Sequence, residues 1–540
     1  MTRFLLAQFN ILADASGGVQ RLRELILQLA VTGKLGTGDE GDEKAEMEFL
    51  NNKLLDTQKK KPTSFSNNCE LEWEDHSLPK NWIIEKLGNI SDIVRGVSFP
   101  KNDVILEERI DYSAVLRSNN VGRSLNLNSL IYIPDSYISN QHRIKTNDFI
   151  VAMSSGSRNL VGKVSLIRNP ITGCVGAFCG IIRLFTKIDV EYLNIYFQNP
   201  IYRKKIASFG KGIGINNLSK VSLENLPIPI PPIGEQQRIV KKVNNLMALC
   251  DDLEAKQTQK HAHLVKLGTG SLTALQQSTT QEELIRWWGH LQNNFGLIFD
   301  CVENVAALRQ AILQLAVTGR LGTGDERDED ASEYGYSKIN GFEMGFPRLP
   351  EKWVYSVFSE IGTVKSNLVD PKDYFDYPHI APNNIEKGTG KLLYYATIRE
   401  DGIFSPNHLF SKGQLLYSKI RPNLSKLIIA EFEGLCSADM YPITTKIDIH
   451  YLKVFMLSEL FLQQVTSDDN RVAMPKINKT QLYGTVIAIP PRAEQKRIIK
   501  KIDQLLYLCD ELEKRFEKRA SAPISLSKSI ITQVITNNVH

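Results

Sequence analysis

No Cys-x-x-Cys pair occurs in this 540-residue sequence, and its seven cysteines are scattered and odd in number. That excludes a disulfide framework and a zinc module of paired thiols, and it fits reduced thiols in a cytoplasm. Cys174 and Cys179, the nearest pair, read as buried packing. No apolar run approaches the ~20 residues that a membrane span requires, so a soluble, cytoplasmic chain without a membrane partner is expected. The opening MTRFLLAQFNILADA is broken by Gln8, Asn10 and Asp14 and lacks a small-residue cleavage pattern. It reads as the start of a helix rather than a secretory signal. A strong charge of one sign is missing as well: the net is +5, which by itself decides nothing about nucleic-acid binding.

Signatures of catalysis are equally scarce. The nine histidines form no His-Glu-x-x-His, and His261 and His263 lie on a polar stretch that suits exposure. FGKGIG, from Phe209 to Gly214, imitates a glycine-rich cofactor loop without the strand, turn, helix and acidic partner such a loop needs. GSRNLVGKV, from Gly156 to Val164, has one residue too many between its glycines and carries Val where a magnesium-binding hydroxyl belongs. Ile precedes both proline pairs, so neither forms the Asp/Asn-Pro-Pro-aromatic site of an amino-methyltransferase. Glu254-Ala255-Lys256, the nearest approach to a nuclease carboxylate and lysine, belongs to the charged face of a helix. No catalytic residue and no metal ligand is therefore assigned.

What the sequence does contain is a duplication. The length exceeds one hydrophobic core and predicts about three to four domains. With 42% hydrophobic and 23% charged residues, the composition is that of a folded globular protein. LRELILQLAVTGKLGTGDE, Leu22 to Glu40, returns as LRQAILQLAVTGRLGTGDE, Leu308 to Glu326, with 16 of 19 positions identical. IPPIGEQQRIVKKVNNLMALCDDLE, Ile230 to Glu254, returns as IPPRAEQKRIIKKIDQLLYLCDELE, Ile489 to Glu513. Calling these motifs A and B, the order is A, variable segment, B, A, variable segment, B. The variable segments share only a skeleton, such as LPKNW at Leu78 against LPEKW at Leu349 and VEYL at Val190 against IHYL at Ile449. A frame that is kept while its middles diverge suits two different recognition faces, or a duplicated scaffold with no recognition role.

Motif B predicts a helix starting near Glu235 and near Glu494, just after a proline pair. Ile239, Val243, Leu246, Cys250 and Leu253, and again Ile498, Ile502, Leu505, Cys509, Leu512 and Phe516, give it a heptad seam. Motif A carries the same rhythm at Leu22, Ile26 and Leu29 and at Leu308, Ile312 and Leu315, each helix ending at a Thr-Gly. The central B and A helices, roughly 235–275 and 297–318, are expected to pair as an antiparallel hairpin, leaving the first A helix and the last B helix to pair likewise. The chain would then close on itself with pseudo-twofold symmetry. Cores internal to separate domains are the alternative. The acidic runs after each motif A read as solvated linkers.

Short β-rich runs such as DFIVAM, KVSLI, CGIIRLF and LYGTVIAIP, with a helix after VEYL or IHYL, make the class α+β. From Leu78 to Pro232 there are 19 Lys and Arg against 11 Asp and Glu, whereas Leu349 to Pro491 has 15 against 15. If both bind DNA, the second must concentrate its positive charge locally. SSGSRNLVGK, Ser154 to Lys163, aligns with SKIRPNLSK, Ser418 to Lys426. Ser155, Ser157, Arg158, Asn159 and Lys163, with Lys419, Arg421, Asn423 and Lys426, are the DNA-binding candidates in these loops. Arg suits guanine, Asn adenine, and Lys or Ser phosphate; a solvated basic turn is the other reading. GKGIGINNLSK and RVAMPKINK precede the two proline pairs and add Lys211 and Lys220, then Arg471, Lys476 and Lys479, chiefly as phosphate contacts or plain surface charge.

Taken together, LQLAVTGKLG with its repeat and PPIGEQQRI with PPRAEQKRI make essentially the whole chain resemble the specificity subunits of type I restriction-modification systems. The resemblance implies a non-catalytic, sequence-specific DNA-binding subunit whose two target recognition domains each read one half of a bipartite site on double-stranded DNA. It implies that the conserved helices act as a ruler that sets the spacer, and the domains are expected at 1–40 and 41–77 for the first helix and linker, 78–232 for the first recognition domain and 233–326 for the central helices. The remaining segments are a linker at 327–348, the second recognition domain at 349–491 and the last helix at 492–540. The implied partners are two methylation subunits, which bind S-adenosylmethionine, and restriction/translocase subunits, which use ATP and Mg; no cofactor is expected in this chain. A single fused methyltransferase-nuclease is the alternative partner, and a stand-alone nuclease the alternative function. Because the family's helices dock the methylation subunits, Gln236, Arg238, Gln495 and Arg497 are candidates for that interface or for local capping.

Overall fold

The structure is a computed structural model that describes residues 17–39, 41–42, 45, 78–157, 159–209, 216–278, 280–341, 343–466 and 475–536. It divides into two units, one of residues 1–257 with 519–540 and one of Thr258–Lys518. The expected opening helix lies outside the described residues, as does most of the linker at 41–77. Among the described residues no helix is long and apolar enough to cross a membrane.

In the first unit motif A forms α1 (Gly18–Val31), whose Leu22, Ile26 and Leu29 are buried as their spacing predicts. Its end is a Schellman turn: the Lys34 N–H reaches the Leu29 carbonyl at 3.0 Å, and Gly33 takes φ +70°. A Cβ on Gly33 would stand 2.3 Å from Cγ of Pro79, so the Thr-Gly end of motif A is also where the helix meets the Leu-Pro of the variable segment.

The variable segment then builds two sheets. Strands Ser91–Arg95, Cys179–Leu184, Phe149–Ala152 and Val164–Leu166 form one in that spatial order, and Ile131–Pro134, Tyr112–Leu116 and Gly173–Val175 form another. Phe149–Ala152 is apolar throughout because both its faces are covered. Phe149 and Val151 join the core beneath α1, while Ile150 and Ala152 join a separate core on the far side. Helices α2 (Val190–Phe197), α3 (Pro200–Phe209) and α4 (Lys220–Glu224) follow, and Pro227–Ile230 returns to pair with Ile83–Lys86 before motif B begins α5 (Ile233–Gln277). Ile239, Val243 and Cys250 of α5 are buried in the same core as α1.

The second unit repeats this wiring. After the end of α5 come α6 (Gln281–Asn293) and motif A as α7 (Val302–Val317), whose Arg320 N–H reaches Leu315 at 2.8 Å with Gly319 at φ +74°. Sheets ordered Gly362–Val364, Met440–Thr445, Leu415–Ser418, Leu427–Ile429 and Leu368–Val369, Asn407–Phe410, Gly434–Cys436, Pro378–Ile380, Ala396–Thr397 follow. Leu415 and Tyr417 face one core and Leu416 the other. Helices α8 (Ile449–Leu457), α9 (Glu459–Val465) and α10 (Lys479–Tyr483) lead through Val486–Ile489 into motif B as α11 (Arg492–Thr536). The α+β class and the duplicated plan of recognition domain and antiparallel helices stand as read from the sequence.

Two expectations are corrected. The central B and A helices are not an antiparallel hairpin: Asn304 bonds to the Leu264 carbonyl at 2.8 Å and Arg320 to that of Gln276 at 2.7 Å, so α5 and α7 ascend together. The reason is α6, capped by Thr280, which carries the chain back before α7 starts. The antiparallel partner of each A helix is the B helix of its own unit, α1 with α5 and α7 with α11, since Arg23 meets Asp251 and Glu254, and Arg309 meets Asp510 and Glu513. Beyond Lys518 the last B helix is grouped with the first unit, and no side-chain contact of that stretch is described. The acidic runs after motif A are also not free linkers. Asp42 and Asp328 are buried against Arg238 and Arg497, and Thr37 and Thr323 donate to Glu235 and Glu494 at 3.2 and 2.9 Å.

The six described cysteines are buried and unpaired. Burial pushes the Cys174, Cys179 and Cys436 thiols up to about 12, so they are inert packing groups.

Candidate nucleic-acid interface

The skeleton shared by the variable segments is the means by which each recognition domain is fixed to the head of its B helix. Trp82 donates to Glu235 at 2.9 Å and Trp353 to Glu494 at 2.8 Å. Asp189 caps α2 by accepting from Glu191 and Tyr192, and its own N–H donates to the Gln236 side chain at 2.8 Å. Asp448 caps α8 and donates to Gln495 at the same distance. Tyr192 and Tyr451, from VEYL and IHYL, donate to the carbonyls of Pro229 and Ala488.

This wiring accounts for the residues expected at a subunit interface. The Gln236 and Gln495 amides are buried, and they also donate to the Pro231 and Pro490 carbonyls at 2.8 and 3.0 Å. Each side chain thus accepts one bond and donates another inside the fold, the local role that the sequence left open beside docking. Arg238 and Arg497 each donate to the carbonyl of Thr37 or Thr323 at 2.7 Å and pair with the buried Asp42 or Asp328, holding the end of motif A on motif B. Leu249 and Leu508, which occupy equivalent positions of motif B, are instead exposed on the outer face of their helices, with Tyr507 beside the second.

On each recognition domain the two loops singled out in the sequence are brought together. In the first unit Ser154–Ser155 pairs antiparallel with Asn216–Asn217, and the Leu218 N–H reaches the Met153 carbonyl at 2.7 Å. In the second, Ile420 bridges to Lys476, the Arg421 N–H donates to Pro475 at 2.8 Å and that of Ile477 to Lys419 at 2.9 Å. Loops some sixty residues apart in the sequence thus become one ridge through the pairing of their backbone groups.

Along the first ridge Ser155 is half-buried and its hydroxyl accepts from the Ser157 N–H at 3.2 Å; Ser157 and Asn159 are exposed and Lys163 is half-buried. Lys220 lies exposed near Glu224 at 3.7 Å. Arg158, Lys211 and Arg471 lie outside the described residues.

On the second ridge Arg421, Asn423, Lys476 and Lys479 are exposed. Arg421 holds φ +47° in the left-handed region, where its carbonyl accepts from Leu424 and its side chain projects from a tight turn. Not every cation there is equally available. Lys419 donates to the Ala438 carbonyl at 2.7 Å and lies over the Tyr441 ring, and Lys426 donates to the Pro382 carbonyl at 2.6 Å, so both ammonium groups brace the loop. Lys476 stands 3.4 Å from Asp439, and Lys479 lies over Tyr483.

Residue-by-residue reading missed α3. Arg203 donates to the Val161 and Asn159 carbonyls at 3.0 and 3.2 Å and so shapes the first ridge from below, while Lys204 beside it is exposed. The run Arg203-Lys204-Lys205 directly before the glycine-rich loop was the available signal, and α9 has no counterpart to it.

Comparisons with known proteins agree with this architecture. The family model for the type I restriction modification DNA specificity domain matches residues 79–261 and 350–520. The EcoDI type I restriction enzyme specificity subunit of Escherichia coli is 32% identical over 346 residues, covering 64% of this chain and 69% of that one. The EcoEI specificity subunit of the same species is 26% identical over 586 residues, covering 95% and 93%. A solved structure described for complex assembly and conformational transition of the type I R-M system shares the fold, with a TM-score of 0.50 at 16% identity over 85% of this chain and 98% of that one. With both variable segments matched, each followed by the head of its B helix, the chain belongs to the type I restriction modification DNA specificity family and carries two copies of its domain.

Proposed function

We propose that this chain is the DNA-reading subunit of a type I restriction-modification complex, in which each recognition domain reads one half of a bipartite site. The observation that carries this reading is the recurrence, in both units, of a ridge built from two loops on a scaffold that is otherwise the same. The scaffold residues match while the ridge residues differ, Ser157 and Asn159 on one and Arg421 and Asn423 on the other, which is what two half-sites of different sequence require.

Chemistry falls to other subunits in this reading: two methylation subunits that bind S-adenosylmethionine and translocating restriction subunits that use ATP and Mg. Docking of the methylation subunits is assigned to the exposed face of the B helices at Leu249 and Leu508, because Gln236 and Gln495 are spent internally. The buried free thiols suit a reducing cytoplasm.

The test is to co-express the chain with its neighbouring methylation subunit and map methylated adenines across the host genome. A bipartite motif is expected, and exchanging residues 78–232 for those of a relative should change one half of it. An undivided motif, or none, would overturn the two-reader assignment.

A further inference from the structure

Where α7 begins beside α5, three chemically different donors converge. His261 projects from α5, Cys301 immediately precedes the first residue of α7, and Glu303 lies in its first turn. Their ligand atoms all lie within 4.8 Å of one another, and Nε2 of His261 stands 3.4 Å from a Glu303 carboxylate oxygen. We propose that these residues bind one divalent transition-metal ion of the zinc type, which pins the start of α7 to α5.

The donor set defines the class of ion. A thiolate and an imidazole select zinc and its neighbours over magnesium or calcium, which prefer all-oxygen sites, and one carboxylate with a water completes four-coordination. Tetrahedral coordination at bond lengths of about 2.0–2.3 Å requires ligand atoms about 3.3–3.8 Å apart. The group is therefore within about 1 Å of closure. His261 and Glu303 are about half exposed and free to rotate by that much, while Cys301, 6% exposed, supplies a fixed corner.

The backbone around the cluster is already held. The Asn304 side chain is fully buried and donates to the carbonyl of Leu264, one turn along α5 from His261. It lies so close to α5 that a Cβ on Gly268 would fall 2.3 Å from it. Glycine at 268 thus permits the close approach of the two helices that sets His261 opposite Cys301 and Glu303. The Asn304 N–H is also bonded to the Cys301 sulfur, which lowers the cost of ionising it even though burial acts in the opposite sense. Binding releases the thiol proton to solvent as the sulfur–metal bond forms, with no change of oxidation state.

The test uses the full-length, untagged chain titrated with Co²⁺ and then with Zn²⁺. One equivalent of cobalt should bind and give a thiolate-to-cobalt charge-transfer band, with zinc displacing it. The band should vanish in Cys301→Ser and persist in Cys69→Ser. Removing a ligand in His261→Ala or Glu303→Gln should weaken cobalt binding at least about 100-fold, since even loss of an outer hydrogen-bond partner of a ligand costs about 10–100-fold. Because both side chains face solvent, the metal-free variants should melt with the metal-free parent, whereas zinc should raise the Tm of the parent alone. No band, a band that survives Cys301→Ser, or equal stabilisation of parent and His261→Ala by zinc would overturn the site.

Discussion

Trp82 donates its indole N–H to Glu235 at 2.9 Å, fastening the start of the first recognition domain to the head of the helix that leaves it. The other carboxylate oxygen accepts from Thr37 at 3.2 Å, so a single buried side chain joins motif A, the variable segment and motif B. Removing it strands two buried donors. Glu235→Ala should destabilise the first unit by about 1–3 kcal/mol, and Glu494→Ala the second by a similar amount, in urea unfolding followed by tryptophan fluorescence. A loss confined to one of them would show that the two junctions are not equivalent.

Gly33 and Gly319 are required twice, once for their left-handed backbone and once because a Cβ would fall 2.3 Å from Pro79 or Pro350. Gly33→Ala and Gly319→Ala should each cost more than about 1 kcal/mol, whereas Gly36→Ala, also at positive φ but with open space around it, should cost less. Comparison of thermal midpoints of the three variants checks this; equal losses would reduce the effect to backbone strain alone.

Arg309 and Arg23 hold equivalent positions with unequal surroundings. The partners of Arg309 have side-chain exposures of 32% and 35%, against 70% and 57% for those of Arg23. Arg309→Ala should therefore cost about 1–3 kcal/mol and Arg23→Ala about 0–1 kcal/mol. Burial pushes the Asp510 carboxyl up, but the Arg309 bond and the nearby Lys391 outweigh it and hold the group below the ordinary carboxylate range. A folded pKa below the unfolded one contributes stability that is complete above about pH 4 and is lost as pH falls through the folded value. The gap between parent and Arg309→Ala should accordingly be full at neutral pH and narrow below about pH 4, read by thermal unfolding across that range.

The ridge residues separate by what their side chains already hold. Arg421→Gly removes the guanidinium while relieving a positive φ, so it should leave stability intact and cost about 1–3 kcal/mol of DNA binding at one half-site only. Lys476→Ala should weaken binding to all sequences and lower the salt slope by about 1. Lys419→Ala, whose ammonium is tied to the Ala438 carbonyl, should instead lower stability. Fluorescence anisotropy at several salt concentrations, with cognate and half-site-altered duplexes, distinguishes these outcomes; a uniform loss for Arg421→Gly would reassign it to the DNA backbone.

The sequence by itself determined the duplicated order, the α+β class and the limits of the repeated helices, because repeats and apolar periodicity are local properties of the chain. Motif A was legible to its Thr-Gly terminus, and the seam of Ile239, Val243 and Cys250 was legible as a buried stripe. The partner of that stripe was not. Whether α5 turns back on α7 or ascends with it depends on α6, and whether Gln236 faces outward depends on Asp189, 47 residues away. Such pairings are decided by which donors and acceptors meet once the cores have closed, and nothing in spacing along the chain encodes them. The same holds for the ridges: Ser, Asn, Arg and Lys announced polar loops, but only the tertiary backbone pairing of residues 154–155 with 216–217 and of 419–421 with 475–477 joined them into surfaces. The fold also spent Lys419 and Lys426 on the carbonyls of Ala438 and Pro382, so side chains of one chemistry came to do different work.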